Sequence, residues 1–331
     1  MAKLLLVPAL TVLMIFSAVA HAESYLSRAE VDAYIEELIQ QHNFSRPELE
    51  EVMAAAERRQ DIIDLMRRPA ERRLNWHEYS KIFLDEQRIA GGVEFWQQNQ
   101  ATLERAQKEY GVAPEVIIAI IGVETRYGRV TGRHRVVDAL MTLAFDYPPR
   151  ASFFRKELTQ FLLLAREEGK NPISLTGSYA GAMGFGQFIP SSYRSYAVDF
   201  DQDGVRDIWQ NRNDAIGSVA NYFSRHGWRG AEQATLPVQL KGETEQLLSI
   251  ANQSLKPTHS IAEMGEMGVI VDGLDPDARV LLLRLGGEKP EYWLGFDDFY
   301  VITRYNHSRL YAMAVYQLGQ EIVKRRKQSI G

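Results

Sequence analysis

The stretch Pro114–Tyr127, PEVIIAIIGVETRY, constrains the fold more than any other part of this 331-residue chain. Proline suits the first turn of a helix, because the missing N–H would have no partner there. Val116, Ile117, Ile118, Ile120, Ile121 and Val123 then place apolar groups on every side. A helix apolar all round is a buried helix, so the rest of the chain must wrap it. The run ends on a single carboxylate, Glu124, followed by Thr125, Arg126 and Tyr127. Desolvation and the negative end of the helix both oppose ionisation there, which is the condition for a general acid. The competing reading is a structural ion pair with Arg126 or Arg129, and the local sequence supports both.

Around this helix the first half of the chain reads as helical. Ser27 and Glu30 predict a capping box, with Val31, Tyr34, Ile35, Leu38 and Ile39 on one face of the helix that follows. Ser45, Pro47 and Glu48 start another. Further helices are predicted over 57–67, 88–109, 114–127, 136–146 and 151–168, with Gly111, Gly128, Pro148 and Gly169 as stops. Residues 171–213, rich in Gly, Ser, Tyr and Asp, lack sustained periodicity and predict an ordered functional loop region. Asp214 opens a helix. From about 232 to 303, TLPVQL, GVIV, RVLLLRL, YWLGF and FYVIT read as short strands, and a basic-ended helix closes the chain. The expected class is α+β, mainly α. The expected division is a helical domain over 23–110 completed by the C-terminal helix 304–331, a core over 111–231, and a small antiparallel β domain over 232–303.

The first residues differ in kind. Lys3, an apolar stretch containing Pro8 and an AHA site ending at Ala22 read as a secretory signal over 1–22, cleaved on export. There is no cysteine, which excludes disulfides, thiol catalysis, thiolate metal sites and a lipid-modified N-terminal cysteine. A net charge of −5 with both signs interspersed gives no basic stripe for nucleic acid, and no later segment is long and apolar enough to span a bilayer. A soluble, exported protein is expected.

DFDQDGVRD, residues 199–207, has the oxygen-ligand spacing of a calcium loop: Asp199, Asp201, Asp203, the Val205 carbonyl and Asp207. Gln210 stands where a glutamate usually closes the shell, and Asp214 is the expected substitute. The bland reading is a solvated acidic turn. Elsewhere, Ser178, Tyr179, Gln187, Phe188, Tyr193, Tyr222, Tyr305 and Asn306 combine rings with small polar groups in loops, which suits carbohydrate, although for each taken alone a half-buried core residue is the better reading. The seven histidines show no ligand spacing and no triad motif.

GVETRYG, SYAGAMGFGQFIPSSY, DAIGSVANYF and VITRYNHS together resemble the lytic murein transglycosylase B family, and the similarity runs from about residue 25 to the C-terminus. The resemblance implies a lysozyme-like catalytic core with added α and β parts. It implies cleavage of the β-1,4 bond between N-acetylmuramic acid (MurNAc) and N-acetylglucosamine (GlcNAc) in peptidoglycan without water, leaving a 1,6-anhydro ring. By the same resemblance Glu124 is the single acid/base and Ser178 hydrogen-bonds its carboxyl. Gln187, Tyr222, Tyr305, Asn306 and, less closely, Tyr79 line the sugar cleft, and the acidic loop is a structural calcium site. No catalytic cofactor is implied. The founding members are membrane-bound lipoproteins, whereas this chain has no cysteine to lipidate, which favours a soluble periplasmic form. Two alternatives stand beside this reading: a hydrolytic muramidase, for which Asp146 is the candidate second carboxylate, and a non-catalytic, calcium-stabilised wall-binding protein.

Overall fold

The buried helix predicted from its isoleucines is present as Pro114–Thr125, with Ile117, Ile118, Ile120 and Ile121 at 0% exposure. A computed structural model describes residues 24–68, 74–230, 234–286 and 289–330. The expected secretory signal over 1–22 lies outside these residues. They divide into two units, one ending at Ala54 and the other beginning at Ala55.

The first unit holds α1 (Ala29–His42) and most of α2 (Arg46–Ala55). Val31, Tyr34, Ile35 and Leu38 are buried on one face of α1, as their spacing predicts. The predicted capping box does not form. Arg28 is the N-cap without a side-chain bond, and the Ser27 hydroxyl donates instead to the Ser24 carbonyl at 2.7 Å, inside a preceding 3-10 turn.

In the second unit α3 (Gln60–Arg67) is followed by α4 (Trp76–Phe83), which the hydrophobic pattern did not predict. Its signal is polar: Asn75 and Glu78 form a complete capping box. The helix predicted over 88–109 is two, α5 (Glu86–Gln98) and α6 (Gln100–Tyr110). Asn99 breaks it by turning its amide onto the Phe95 carbonyl at 2.7 Å, a side-chain bond that competes with the backbone ladder. Next come α7 (Pro114–Thr125), α8 (Val136–Phe145) and α9 (Ala151–Glu167). The loop region 171–213 carries only a short strand and α10 (Pro190–Tyr196) before α11 (Arg212–Arg225).

The strand region yields a five-stranded antiparallel sheet in the order β4-β6-β7-β3-β5, from β3 (Thr235–Leu240), β4 (His259–Ser260), β5 (Val269–Ile270), β6 (Arg279–Leu285) and β7 (Glu291–Gly295). Strands β1 (His134–Arg135) and β2 (Thr176–Gly177) pair separately. One face of the five-stranded sheet buries Val280, Leu282 and Leu294 against Leu247 of α12 (Glu245–Ile250) and Ile261 and Met264 of α13 (Ile261–Glu266). FYVIT is not a strand but part of α14 (Asp297–Tyr305). Two aspartates in its first turn favour the helix dipole, and burial of Phe299, Val301 and Ile302 overrides their β preference. The class is α+β and mainly helical, as expected. The closing helix α15 (Arg309–Ile330) returns to pack on α4, α5 and α7, which brings residues beyond 308 against the helix that carries Glu124.

Candidate active site

Helix α7 ends in a turn of unusual backbone. Arg126, Tyr127 and Gly128 all have positive φ, at 50°, 64° and 85°. Two consecutive non-glycine residues in the left-handed region store strain, so their surroundings must hold them. The Tyr127 hydroxyl donates to the Arg88 carbonyl at 2.6 Å, and its ring lies over Gly91, Gly92 and Gly122, where any added Cβ would come within 2.9 Å of the ring or its hydroxyl or, at Gly92, of Ile322. Thr125, 1% exposed, donates to the Phe185 carbonyl at 2.9 Å and accepts the Gly128 N–H at 3.0 Å. A Cβ on Gly128 would sit 2.1 Å from the Phe185 ring. The ETRYG signature thus anchors the end of the helix and fixes Glu124, which is half-buried, at its last turn. Arg126 is exposed, and Arg129 reaches Glu94 at 3.7 Å.

One direct partner of Glu124 was not among the residues singled out in the sequence. Tyr311, near the start of α15 and 3% exposed, donates its hydroxyl to Glu124 Oε1 at 2.5 Å. Burial first, and then the Glu124 charge, push the Tyr311 phenol well above its ordinary range, so it stays a donor. Tyr305 is raised in the same way and for the same causes, and donates to the Gly186 carbonyl at 2.5 Å. Its ring packs edge-on to Tyr222 at 4.8 Å and near Phe188 at 6.0 Å. Tyr222 donates to the Arg304 carbonyl at 2.6 Å and stacks on His226 at 4.0 Å. Burial lowers the His226 pKa, favouring a neutral ring. The structure therefore gathers Tyr222, Tyr305, Phe188 and the Gly186 carbonyl into one aromatic cluster, while Glu124 and Tyr305 interact electrostatically.

Gln187, in the left-handed region at φ 50°, gives both amide hydrogens to backbone, to Thr131 and Gly184 carbonyls at 3.0 Å each. That leaves its oxygen as the group with hydrogen-bonding capacity. Ser178 sits in a tight turn whose Oγ accepts the Ala180 and Ala182 N–H groups at 3.2 and 3.0 Å. Accepting twice, the hydroxyl is left to act as a donor. Gly132 presses on this turn so closely that a Cβ would lie 2.0 Å from the Gly177 oxygen. Asn306 caps α14 and is half-buried. Tyr79 is 2% exposed, with its ring 5.1 Å from Phe83, and offers no open face for stacking a sugar.

In the acidic loop, carboxylate oxygens of Asp199, Asp201 and Asp203 all lie within 4.8 Å of one another. Two oxygens each about 2.4 Å from one calcium ion can be no farther apart than this, so the hard-oxygen donor set fits such an ion. Asp199 accepts the Asp203 and Gly204 N–H groups and Asp203 accepts that of Val205, which coils the loop. Asn211 and then Asn213 hold the Asp201 carboxyl below its ordinary range. Asp214 is placed differently from its expected role. It is fully buried and accepts the Phe200 and Asp207 N–H groups at 2.7 Å each, bracing the loop through its backbone. Asp207 accepts the Trp209 and Gln210 N–H groups.

Other buried carboxylates among the described residues are engaged structurally. Asp138 holds the Glu57 amide and Arg135, Glu157 holds the amide and hydroxyl of Ser191, and Asp298 holds the Arg229 amide. Asp146, the candidate second carboxylate of a hydrolase, is bound by Arg58 at 3.2 Å. Glu124, half-buried at the end of α7, instead meets the Tyr311 hydroxyl.

Known proteins share this architecture. Membrane-bound lytic murein transglycosylase B of Escherichia coli strain K12 is 42% identical over 315 residues, covering 92% of this chain and 85% of that protein. The crystal structure of soluble lytic transglycosylase SltB1 from Pseudomonas aeruginosa superposes with a TM-score of 0.86 at 49% identity, covering 90% of this chain and 99% of that one. Escherichia coli lytic transglycosylase Slt35, solved in complex with calcium, gives 0.82 at 43%, covering 90% and 94%. The mainly helical chain with its small sheet also matches the transglycosylase SLT domain over residues 27–320, and with Glu124 standing on the motif that the resemblance singled out, the chain belongs to the lytic transglycosylases of that family.

Proposed function

We propose that this lytic transglycosylase cleaves the MurNAc-β-1,4-GlcNAc bond of peptidoglycan with Glu124 as its single acid and base. The Glu124 carboxyl protonates the glycosidic oxygen while the 2-acetamido group of the muramoyl sugar stabilises the positive charge at C1. The carboxylate so formed takes the proton from the C6 hydroxyl of the same sugar, and that oxygen closes on C1. No water enters and none leaves. Most glycosidases need two carboxylates, with substrate-assisted enzymes among the exceptions. The observation that carries the reading is the lone carboxylate fixed by the α7 turn and by Tyr311, with Asp146 and the buried acids engaged elsewhere. Ser178, its Oγ lone pairs taken by two amides, has the hydroxyl proton to aim the carboxyl. Gln187, Tyr222, Tyr305 and Asn306 serve the sugar cleft, whereas Tyr79, 2% exposed, does not stack on a sugar.

Mass spectrometry of digested peptidoglycan tests the reaction. Muramoyl ends should be one water lighter than reducing ends, and a digest with only reducing ends would make the enzyme a hydrolase.

Asp199, Asp201 and Asp203, with the Val205 carbonyl and Asp207, would hold a calcium ion, which supplies charge to fasten the loop and no chemistry to the reaction. Calcium at a hundredfold excess over its Kd should stabilise the protein by about 3 kcal/mol, raising the thermal midpoint by about 5 °C, and Asp199→Ala should abolish the rise. A metal-free preparation that gains nothing from calcium would leave the loop an acidic turn. Among the described residues no helix is long and apolar enough to cross a membrane. The apolar leader ending at Ala22, the lack of cysteine and the peptidoglycan substrate together argue for a mature form acting in the periplasm.

A further inference from the structure

The five-stranded sheet packs one face against α12 and α13 and leaves part of the other open. Burial along β7 alternates: Tyr292 and Leu294 join the core on the covered face, so Glu291 and Trp293 point to the opposite one. Along β3 the alternation is in step, with Val238 and Leu240 packed toward that core and Pro237 and Gln239 exposed. The pairing sets Pro237 opposite Trp293, and the same register continued places Gln239 beside Glu291. On the other side of Trp293, Leu283 is buried, and Phe299 of α14 closes on Gly295 beside Leu281. The half of this face that stays open holds a cavity of about 560 Å³, whose lining residues all fall within 237–243 and 290–293. None of them belongs to the site around Glu124.

Trp293 is held in place there. Its Nε1 donates to Glu291 Oε2 at 3.1 Å, and Pro237 and Leu283 flank it on the neighbouring strands. The indole is half-buried, with the exposed Pro237 ring beside it. Glu291 Oε1 and the Gln239 amide have no hydrogen-bond partner among the described residues. The cavity thus sets ring surface beside a carboxylate acceptor and an amide that both donates and accepts. Sugars need this combination, because their C–H faces stack on rings while hydroxyl and acetamido groups need donors and acceptors. Charge narrows the ligand further. Glu243 and Glu291 are the charged residues of the lining, and Arg284, which donates to the Tyr292 hydroxyl, lies on the covered face. Two carboxylates without a cation among the lining residues oppose an acidic ligand and leave a neutral sugar favoured.

We infer that this face of the sheet is a second carbohydrate site, which stacks a neutral N-acetylamino sugar of a β-1,4-linked glycan on Trp293 and Pro237, apart from the residues that break the bond. The inference takes its ligand class from the reading given under "Proposed function". A short connection ties the two sites together, since α14 runs from the end of β7 to Tyr305 and Asn306. A glycan strand held at Trp293 stays near the sugar cleft, and its capture there becomes an intramolecular event.

The test titrates the full-length mature protein with tetra-N-acetylchitotetraose, a β-1,4 glycan without peptide, and follows the indole N–H resonance of Trp293, assigned by its absence in Trp293→Phe. The resonance should shift and saturate, and Gln239→Ala, at an exposed position, should weaken the Kd read from it about fivefold, the loss of one neutral hydrogen bond. Raising ionic strength from about 0.05 to 0.5 M should leave that Kd nearly unchanged, because the ligand is uncharged. On insoluble peptidoglycan Trp293→Ala should slow release of anhydro products about tenfold, while the rate on short soluble strands that fill only the cleft stays within about twofold of wild type. Trp293→Phe, which keeps a ring, should retain most of the activity on the insoluble substrate. A Trp293 resonance that chitotetraose does not move, binding abolished by salt, or an equal loss on both substrates in Trp293→Ala would each overturn the second site. A shifted resonance in a wild type that cleaves neither substrate would count instead against the glycosidic mechanism.

Discussion

Glu124→Gln should lower kcat on peptidoglycan by at least about a thousandfold, with glycan binding and the thermal midpoint nearly unchanged. General acid–base catalysis contributes roughly 10²–10⁴ in rate, and here one residue supplies both the proton that leaves with GlcNAc and the base that activates the C6 hydroxyl. An amide can do neither. It does preserve the shape of the side chain and an oxygen for the Tyr311 hydroxyl, which donates to Oε1 at 2.5 Å in the wild type. The strained turn at Arg126–Gly128 is held by Thr125, Tyr127 and the glycines that receive the Tyr127 ring, none of which the substitution touches. Loss of turnover with retained binding separates a catalytic carboxylate from a structural one. Undiminished release of anhydro products would remove Glu124 from the mechanism, and loss of binding together with a lowered midpoint would make its role structural.

The half of the site contributed by α7 could be read from the sequence because its physics is local. Six apolar side chains in one helical run force burial, and a carboxylate at the end of such a run stands out against them. The loop carboxylates could be read for a similar reason, since alternate aspartates before a glycine carry their own geometry. Tyr311 could not. It sits in RLYAMAVY, where helical periodicity assigns every large residue to the core, and it is indeed 3% exposed. What makes it part of the site is its hydroxyl, 187 residues away in sequence from the oxygen it meets, and only the return of α15 onto α7 brings the two together. Asp214 illustrates the converse. Spacing offered it as a cation ligand, but the backbone of 200–207 folds over it and takes both its oxygens. The same holds in the fold: local signals announced α7, α8 and α9, whereas FYVIT followed its packing and not its β-branched composition. The Ser178 turn lies between these cases. The lack of periodicity over 171–213 predicts a loop there, but the position of the Ser178 turn is set by Gly132 pressed against the Gly177 carbonyl, a contact across more than forty residues.

Tyr311→Phe should reduce kcat/KM by roughly ten- to a hundredfold, the rate equivalent of one hydrogen bond to a charged group. The substitution removes a single oxygen. The ring stays in a site that is 3% exposed, and the phenol has no charge to lose, since burial and the neighbouring Glu124 hold its pKa far above neutrality. The consequence falls on Glu124. A donor to a carboxylate favours the ionised form, so its removal favours the protonated one, and the limb of the pH–rate profile that reports loss of the catalytic proton should move to higher pH. Tyr311 thereby sets a balance: it fixes the direction of the carboxyl needed for proton transfer, and it stabilises the carboxylate that must take the C6 proton in the second step. Removing it should weaken both the orientation of the carboxyl and the formation of the base, which predicts a fall in kcat larger than any rise in KM. A purely packing role would behave otherwise, lowering the thermal midpoint and leaving the pH profile in place. Measured together, midpoint and profile decide the point: an unmoved limb with a lowered midpoint would make Tyr311 a core residue, and a moved limb with an unchanged midpoint would make it the positioning residue of the catalytic acid.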